Sequence, residues 1–289
     1  MQQLKAPAIT GLIMLFLLAA ISFANLFSKG STAELLTVVF FDVGQGDATF
    51  IESPTGTQVL IDGGKGSGVL GALSSTMGFF DRSIDMVIAT HPDMDHIGGL
   101  TEVLIRYDVD TILMTENMSE TPAFEAFLEQ VKNEGATILY ARRGQVFDLG
   151  MGAAGSTTLS ILFPNYDPAG LESNMSSIVA KLIYGESEYL LTGDSPQEIE
   201  EYLVSIGSDI LQSDVLKAGH HGSKTSSAES FVSAVAPSYA IFSAGKDNSY
   251  GHPHREVVDR FTVHNAIQKN TADEGSIVSV SDGVSILFK

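Results

Sequence analysis

Six of the seven histidines of this chain fall in three short loops, and that clustering constrains the fold more than any other feature. The first loop, His91-Pro92-Asp93-Met94-Asp95-His96-Ile97-Gly98-Gly99, packs four metal-type ligands into six residues directly after the apolar run 84–89. The second is Leu216-Lys217-Ala218-Gly219-His220-His221-Gly222-Ser223, and the third is Asn248-Ser249-Tyr250-Gly251-His252-Pro253-His254. A fourth strand-like end, Leu190-Leu191-Thr192-Gly193-Asp194, lets an Asp project behind a glycine. Taken singly, each has a plain explanation: a solvated acidic loop, a surface histidine pair, or a helix N-cap at Asp194 or Ser195. Taken together they describe strand ends converging on a metal site, because α/β scaffolds present reactive groups at such ends. The chain has no Cys, so thiolate sites and disulfides are excluded and any metal must be held by His, Asp, Glu or Asn.

The runs between these loops read as alternating strands and helices. Runs 35–41, 48–52, 58–61 and 84–89 are strand-like, with Ser53-Pro54-Thr55-Gly56 as a hairpin turn and Gly63–Gly68 as a flexible loop before a helix. Helical spacing covers 100–107 and 122–134, with short strands at 111–114 and 137–140. The second half follows the same alternation, with strands at 159–163, 177–184, 189–191, 214–216, 239–242, 276–280 and 284–288, and helices at 195–206, 227–235 and 255–263. Two such halves without a linker between them imply one α/β domain over 31–289, an αββα sandwich of two sheets between helices.

The net charge of −19 excludes loose wrapping of nucleic acid by a basic surface. It leaves a compact phosphate site open where metal ions supply the positive charge. The stretch 8–27 is uncharged and mostly apolar, flanked by Lys5 and Lys29, and is long enough to cross a bilayer. Ser22-Phe23-Ala24 also fits a cleavage site, so residues 1–30 read as either a signal anchor or a signal peptide. Both readings place the globular part outside the cytoplasm, on the membrane if the segment is uncleaved.

The motif series as a whole resembles the metallo-β-lactamase superfamily. Its wording is similar to the hydrolase domain that ends the ComEC-type DNA-uptake proteins: Phe41-Asp42-Val43-Gly44-Gln45-Gly46-Asp47-Ala48, Leu60-Ile61-Asp62-Gly63-Gly64, and the His91, Asp194, His220 and His252 segments quoted above. Those proteins also carry a large multi-span channel region, whereas this chain has one span-like stretch. The resemblance implies the αββα fold and two divalent ions. It assigns His91, Asp93, Asp95, His96, Asp194 and His220 as metal ligands, with Asp194 bridging and Asp62 orienting the set from beneath. His221 remains the alternative to His220, or a substrate contact. Two departures from the wider superfamily matter: Asp93 stands where a second His is usual, and Asn174 where a further His is expected. A site poorer in nitrogen shifts the expected ion from Zn²⁺ toward Zn²⁺ or Mn²⁺.

The implied activity is phosphodiester hydrolysis, with DNA or another phosphodiester as substrate. Asp95 or Asp194 would receive the proton, and His252 would hold a phosphate oxygen or protonate the leaving group. Asn174, His221, Ser223 and Lys224 are expected to contact substrate, with Lys65 as a further cation. An esterase or lactonase acting on cell-wall or lipid substrates is the rival enzyme. A membrane-tethered binding protein that keeps the domain as scaffold is the non-catalytic rival.

Overall fold

The apolar character of the strand runs is explained by burial on both faces. The computed structural model describes residues 35–289, and the apolar stretch expected as an anchor or signal helix lies outside the described residues. The first sheet begins with an antiparallel meander of β1 (Leu36–Phe40), β2 (Thr49–Glu52) and β3 (Gln58–Ile61). Parallel crossovers follow through α1 (Gly68–Thr76), β4 (Ser83–Ala89), α2 (Met94–Leu104), β5 (Asp108–Met114), α3 (Pro122–Glu134) and β6 (Thr137–Tyr140). The C-terminal β14 (Ile277–Ser281) and β15 (Ile286–Phe288) return to the other edge, giving the order β15-β14-β1-β2-β3-β4-β5-β6.

The second sheet repeats that plan. β7 (Val146–Gly152), β8 (Gly155–Phe163), β9 (Val179–Tyr184) and β10 (Ser187–Leu191) are antiparallel. β11 (Val215–Lys217), β12 (Tyr239–Phe242) and β13 (Ile267–Asn270) continue in parallel, interleaved with α4 (Gln197–Ile206), α5 (Glu229–Val235) and α6 (Arg255–Val263), and α7 (Thr271–Glu274) follows β13. Side chains alternate along each strand. On β1, Leu36, Val38 and Phe40 enter the core between the sheets, while Val39 faces the core under α1–α3. Leu190, Leu216 and Ala240 face a third core under α4–α6. Three apolar layers separate helices, sheet, sheet and helices, the αββα order expected from the pattern.

Three local differences from the sequence expectation bear on the site. α2 starts at Met94, not near residue 100, so Asp95 and His96 occupy its first turn. α4 starts at Gln197 with Pro196 before it, so neither Asp194 nor Ser195 caps a helix and the Asp194 carboxylate is free for other work. β7 and β13 were not legible as strands; β7 is half-exposed, glycine-containing and bulged between Asp148 and Met151.

Candidate metal centre

The C-terminal ends of β3, β4, β10 and β11 meet at one edge of the sandwich, and each delivers a polar residue there. Directly after β3, Asp62 takes a left-handed backbone (φ 59°). Its buried carboxylate accepts from Thr90 N at 2.9 Å, Thr90 Oγ1 at 2.7 Å and His96 Nδ1 at 2.8 Å. Because a carboxylate only accepts, His96 carries its proton on Nδ1 and turns Nε2 into the site. The Thr90 hydroxyl spends its one proton on Asp62, so toward His91 Nδ1, 3.0 Å away, it is the acceptor. That fixes His91 as the same tautomer.

The histidine pair behaves likewise. His220 (φ 48°) and His221 (φ 55°) are both left-handed, a conformation costing about 1 kcal/mol or more per residue. Two successive left-handed residues point both rings the same way, where an extended chain would send them apart. His221 Nδ1 lies 3.1 Å from Asp47 Oδ1, and His220 Nδ1 lies 3.2 Å from Thr225 Oγ1, whose proton goes to Ser223 Oγ at 3.0 Å. All four rings therefore turn Nε2 toward the site, and that nitrogen is free of a proton whenever the imidazole is neutral.

These nitrogens surround a single oxygen. Asp194 Oδ2 is 3.3 Å from His96 Nε2, 3.4 Å from His221 Nε2, 3.7 Å from His220 Nε2 and 4.0 Å from His91 Nε2. Asp93 Oδ2 stands 3.6 Å from His91 Nε2, and Asp95 Oδ2 stands 3.3 Å from His221 Nε2. Ser173 Oγ donates to Asp93 Oδ1 at 2.6 Å, and Ser177 Oγ accepts from Asp194 N at 3.2 Å. His91 Nε2, His96 Nε2, His221 Nε2 and Asp194 Oδ1 are buried without a hydrogen-bond partner. Buried polar atoms are normally satisfied, so such a group of orphans fits a cation-binding centre.

Asp47, His96, Asp194 and His221 form a candidate metal-binding group, with one ligand-type atom from each lying within 4.8 Å of the others. Asp47 differs from the rest in its partners. Lys217, a buried lysine at the end of β11, forms an ion pair with Asp47, donates to Gly193 O at 3.1 Å and lies 3.9 Å from Asp194 Oδ1. Asp47 thus faces the Nδ1 side of His221 and an ammonium, the position of an orienting group. Sequence reasoning did not single out Asp47, Lys217, Thr90 or Ser173. The signals for the first two were present: Gly46-Asp47 repeats the Gly193-Asp194 pattern, and Lys217 is a charge inside a fully buried strand.

Glycines set the spacing. A Cβ on Gly99 would lie 1.8 Å from Gly63 O, and one on Gly46 would lie 2.2 Å from Asp95 O. Only glycine lets the first two turns of α2 lie against the two loops that carry Asp47 and Asp62.

Electrostatics follow from this crowding. Burial would raise the pKa of Asp194, but His221, His96 and His91 outweigh it and hold the carboxyl well below its usual range. Asp95 is likewise held low, against burial, by His221 and His96. Burial opposes charge on His221, yet Asp194, Asp47 and Asp95 push it up to about 9, and Asp194 and Asp62 raise His96. His252, whose ring is 5.6 Å from that of His220, is lowered to about 4, first by burial and then by the positive charge of nearby His221.

The remaining residues expected at the site lie around its rim. Asn174 sits in a 3-10 turn (Ser173–Ser176) with its Oδ1 buried and unpartnered. Ser223 is buried and supports His220 through Thr225, and Lys224 exposes its side chain. Lys65 and Asp95 line a cleft of 310 Å³ together with Gln45, Asn248 and Tyr250.

Residues 41–246 match the metallo-beta-lactamase superfamily, and the chain belongs to that superfamily. It is 32% identical over 260 residues to ComE operon protein 3 of Bacillus subtilis (strain 168), covering 83% of this chain and 32% of that protein. It is 29% identical over 228 residues to competence protein ComA of Neisseria gonorrhoeae, covering 78% of this chain and 30% of that protein. The chain thus spans about a third of the length of these curated relatives. Among solved structures, CmlA, a diiron beta-hydroxylase from Streptomyces venezuelae, superimposes with a TM-score of 0.57 at 14% identity, over 83% of this chain and 53% of that one. That likeness concerns the fold alone.

Proposed function

We propose that the chain is a metal-dependent phosphodiesterase acting on DNA outside the cytoplasm, in a role like that of the ComEC-type proteins. The observation that carries the reading is the ring of four Nε2 atoms within 4.0 Å of Asp194 Oδ2. The donors fit two divalent cations, Zn²⁺ or Mn²⁺. His91, Asp93, Asp194 and His220 would hold one; Asp95, His96, Asp194 and His221 would hold the other. Charge supports the count. With the histidines neutral, as metal ligands must be, Asp47, Asp62, Asp93, Asp95 and Asp194 bring five negative charges and Lys217 one positive, leaving four, the charge of two divalent ions. When bound, such ions supply Lewis acidity at a phosphoryl oxygen and lower the pKa of water.

The protein's own groups divide the remaining work. Asp95 turns one oxygen to His221 and lines the open cleft, so its carboxylate is the one assigned to take the proton of the attacking water. His252 is neutral at pH 7, given its depressed pKa, and is assigned to hold a phosphate oxygen by hydrogen bonding. Lys65 lines the cleft, Lys224 exposes its side chain next to Ser223, and Asn174 Oδ1 has no hydrogen-bond partner. Similarity to competence proteins supports DNA as the substrate. The apolar stretch 8–27 supports export and membrane attachment.

The test is hydrolysis of single- and double-stranded DNA and of bis-p-nitrophenyl phosphate by the purified full chain loaded with Mn²⁺ or Zn²⁺. Turnover is expected, with a loss of at least about a hundredfold in Asp95→Ala, the scale of a removed general base. A chain that binds close to two ions yet turns over no phosphodiester would refute the proposal.

A further inference from the structure

We infer that the cleft beside the metal centre holds a base-stacking subsite, in which the exposed ring of Tyr250 receives an unpaired base of a single-stranded nucleic acid. The inference rests on the phosphodiesterase reading above and adds to it how the polymer is gripped.

Tyr250 is 65% exposed, yet its ring is not loose. One side stacks on the His252 ring, with centroids 5.6 Å apart and planes 22° from parallel. Asn248 fixes the loop from within: its Oδ1 accepts from Tyr250 N at 3.2 Å and His252 N at 3.0 Å. Its Nδ2 donates to His252 O at 2.6 Å and Gly245 O at 2.9 Å. Tyr250 lines the cleft, and an aromatic ring held this way loses little freedom when a second ring stacks on it. Beneath it, His252 Nδ1 is buried without a hydrogen-bond partner.

The cleft's extent points to a polymer. Its 310 Å³ meets a second depression of 440 Å³ at Lys65 and Met94, and that one continues along α2 to Arg106. Asp95 of the metal centre therefore borders a groove that runs on past Lys65 and Met94 to Arg106. A strand with a base on Tyr250 would carry its backbone past Lys65 to Asp95. A lipid chain in the same place would desolvate Lys65, Asp95 and Asn248 without replacing their hydrogen bonds. A duplex keeps its base faces stacked and offers only phosphates and edges, for which a chain of net charge −19 has little cationic surface. Stacking one base on an aromatic ring is worth roughly five- to a hundredfold in affinity.

The experiment compares wild type, Tyr250→Ala and Tyr250→Phe as full chains. With Mn²⁺ present, the KM for a single-stranded 12-mer is measured against the KM for bis-p-nitrophenyl phosphate on each variant. In EDTA, the Kd of the labelled 12-mer is measured by fluorescence anisotropy. Tyr250→Ala should raise the ratio of the two KM values, and the Kd, about tenfold, and Tyr250→Phe should recover most of that loss. A fully abasic 12-mer should not distinguish wild type from Tyr250→Ala. The subsite is overturned if Tyr250→Phe loses as much as Tyr250→Ala, if the abasic strand responds like the intact one, or if a blunt duplex shows the same dependence. If no phosphodiester is hydrolysed, the parent reading fails, and the anisotropy arm alone decides: equal Kd for wild type and Tyr250→Ala overturns the subsite.

Discussion

Replacing Lys217 by Met removes a buried ammonium while keeping most of the side-chain volume, and it leaves the Asp47 carboxylate buried with His221 as its hydrogen-bonding partner and His96 Nδ1 4.0 Å away. Both members of the pair are almost fully enclosed, so water cannot take over the lost role. Breaking a buried pair by deleting one partner costs about 3–5 kcal/mol. Lys217 also donates to Gly193 O, which places the loss in the upper part of that range. For a domain of this size the loss corresponds to a fall in Tm of roughly 6–20 °C. The double variant Asp47→Asn with Lys217→Met has no unpaired charge, and the Asn carbonyl can still accept from His221 Nδ1. Its stability loss should be smaller than the sum of the single losses by about 2 kcal/mol. Urea unfolding of the four proteins in EDTA measures the cycle without metal entering. A coupling below about 0.5 kcal/mol would show that the pair is not the internal tether its geometry describes.

Further outcomes concern metal affinity, pH and two glycines. Asp62→Ala removes the acceptor that fixes the His96 tautomer, so metal affinity measured by chelator competition should fall about 10–100-fold. In metal-free protein, His221 titrates near 9 when folded and near 6.5 when unfolded, so its stabilising contribution is full below about 6.5 and is lost as pH rises through 9. Asp194 and Asp95 are held low and stabilise only above the usual carboxylate range, near 4, placing the metal-free optimum between about 4 and 6.5. Metal must displace protons from His96 and His221, so the Tm gained on adding Mn²⁺ should grow from pH 6 to pH 9, and a gain that shrinks over that range would contradict the assignment. Gly99→Ala should cost more than about 4 kcal/mol or prevent folding, because its Cβ would lie 1.8 Å from Gly63 O. By contrast Gly71→Ala, with nothing within 4 Å inside α1, should stabilise by about 0.5–1 kcal/mol in the same unfolding assay.

The layer order and the histidine loops were legible because they depend on local pattern: buried runs with reactive residues at their ends. What was not legible depends on contacts between distant segments. His221 meets Asp47 across 174 residues, and no local signal announces that pairing. Sequence alone leaves the choice between His220 and His221 open because neighbouring side chains ordinarily diverge, whereas the left-handed backbone at both residues aims them together. The start of α2 lies earlier than its sequence suggests because Gly98-Gly99 looks like a helix interruption. In the fold those glycines are what lets the helix begin early, against the loop carrying Gly63 and Lys65.

The centre is assembled from both sheets. Asp47, Asp62, His91, Asp93, Asp95 and His96 come from the first, and Asp194, Lys217, His220 and His221 from the second. A site split this way needs something to hold its halves in register before a cation arrives, since the buried Nε2 atoms of His91, His96 and His221 and Asp194 Oδ1 make no hydrogen bond of their own. The Lys217–Asp47 pair crosses between the sheets, and the His221–Asp47 contact does the same. Each Nδ1 is anchored to a carboxylate or hydroxyl behind the ring, so the four imidazoles lose little freedom on binding and keep one tautomer. Above the pH at which His96 and His221 give up their protons, the desolvated nitrogens are a local cost of folding that a divalent cation would reverse, which ties occupancy of the centre to the stability of the sheet-to-sheet contact.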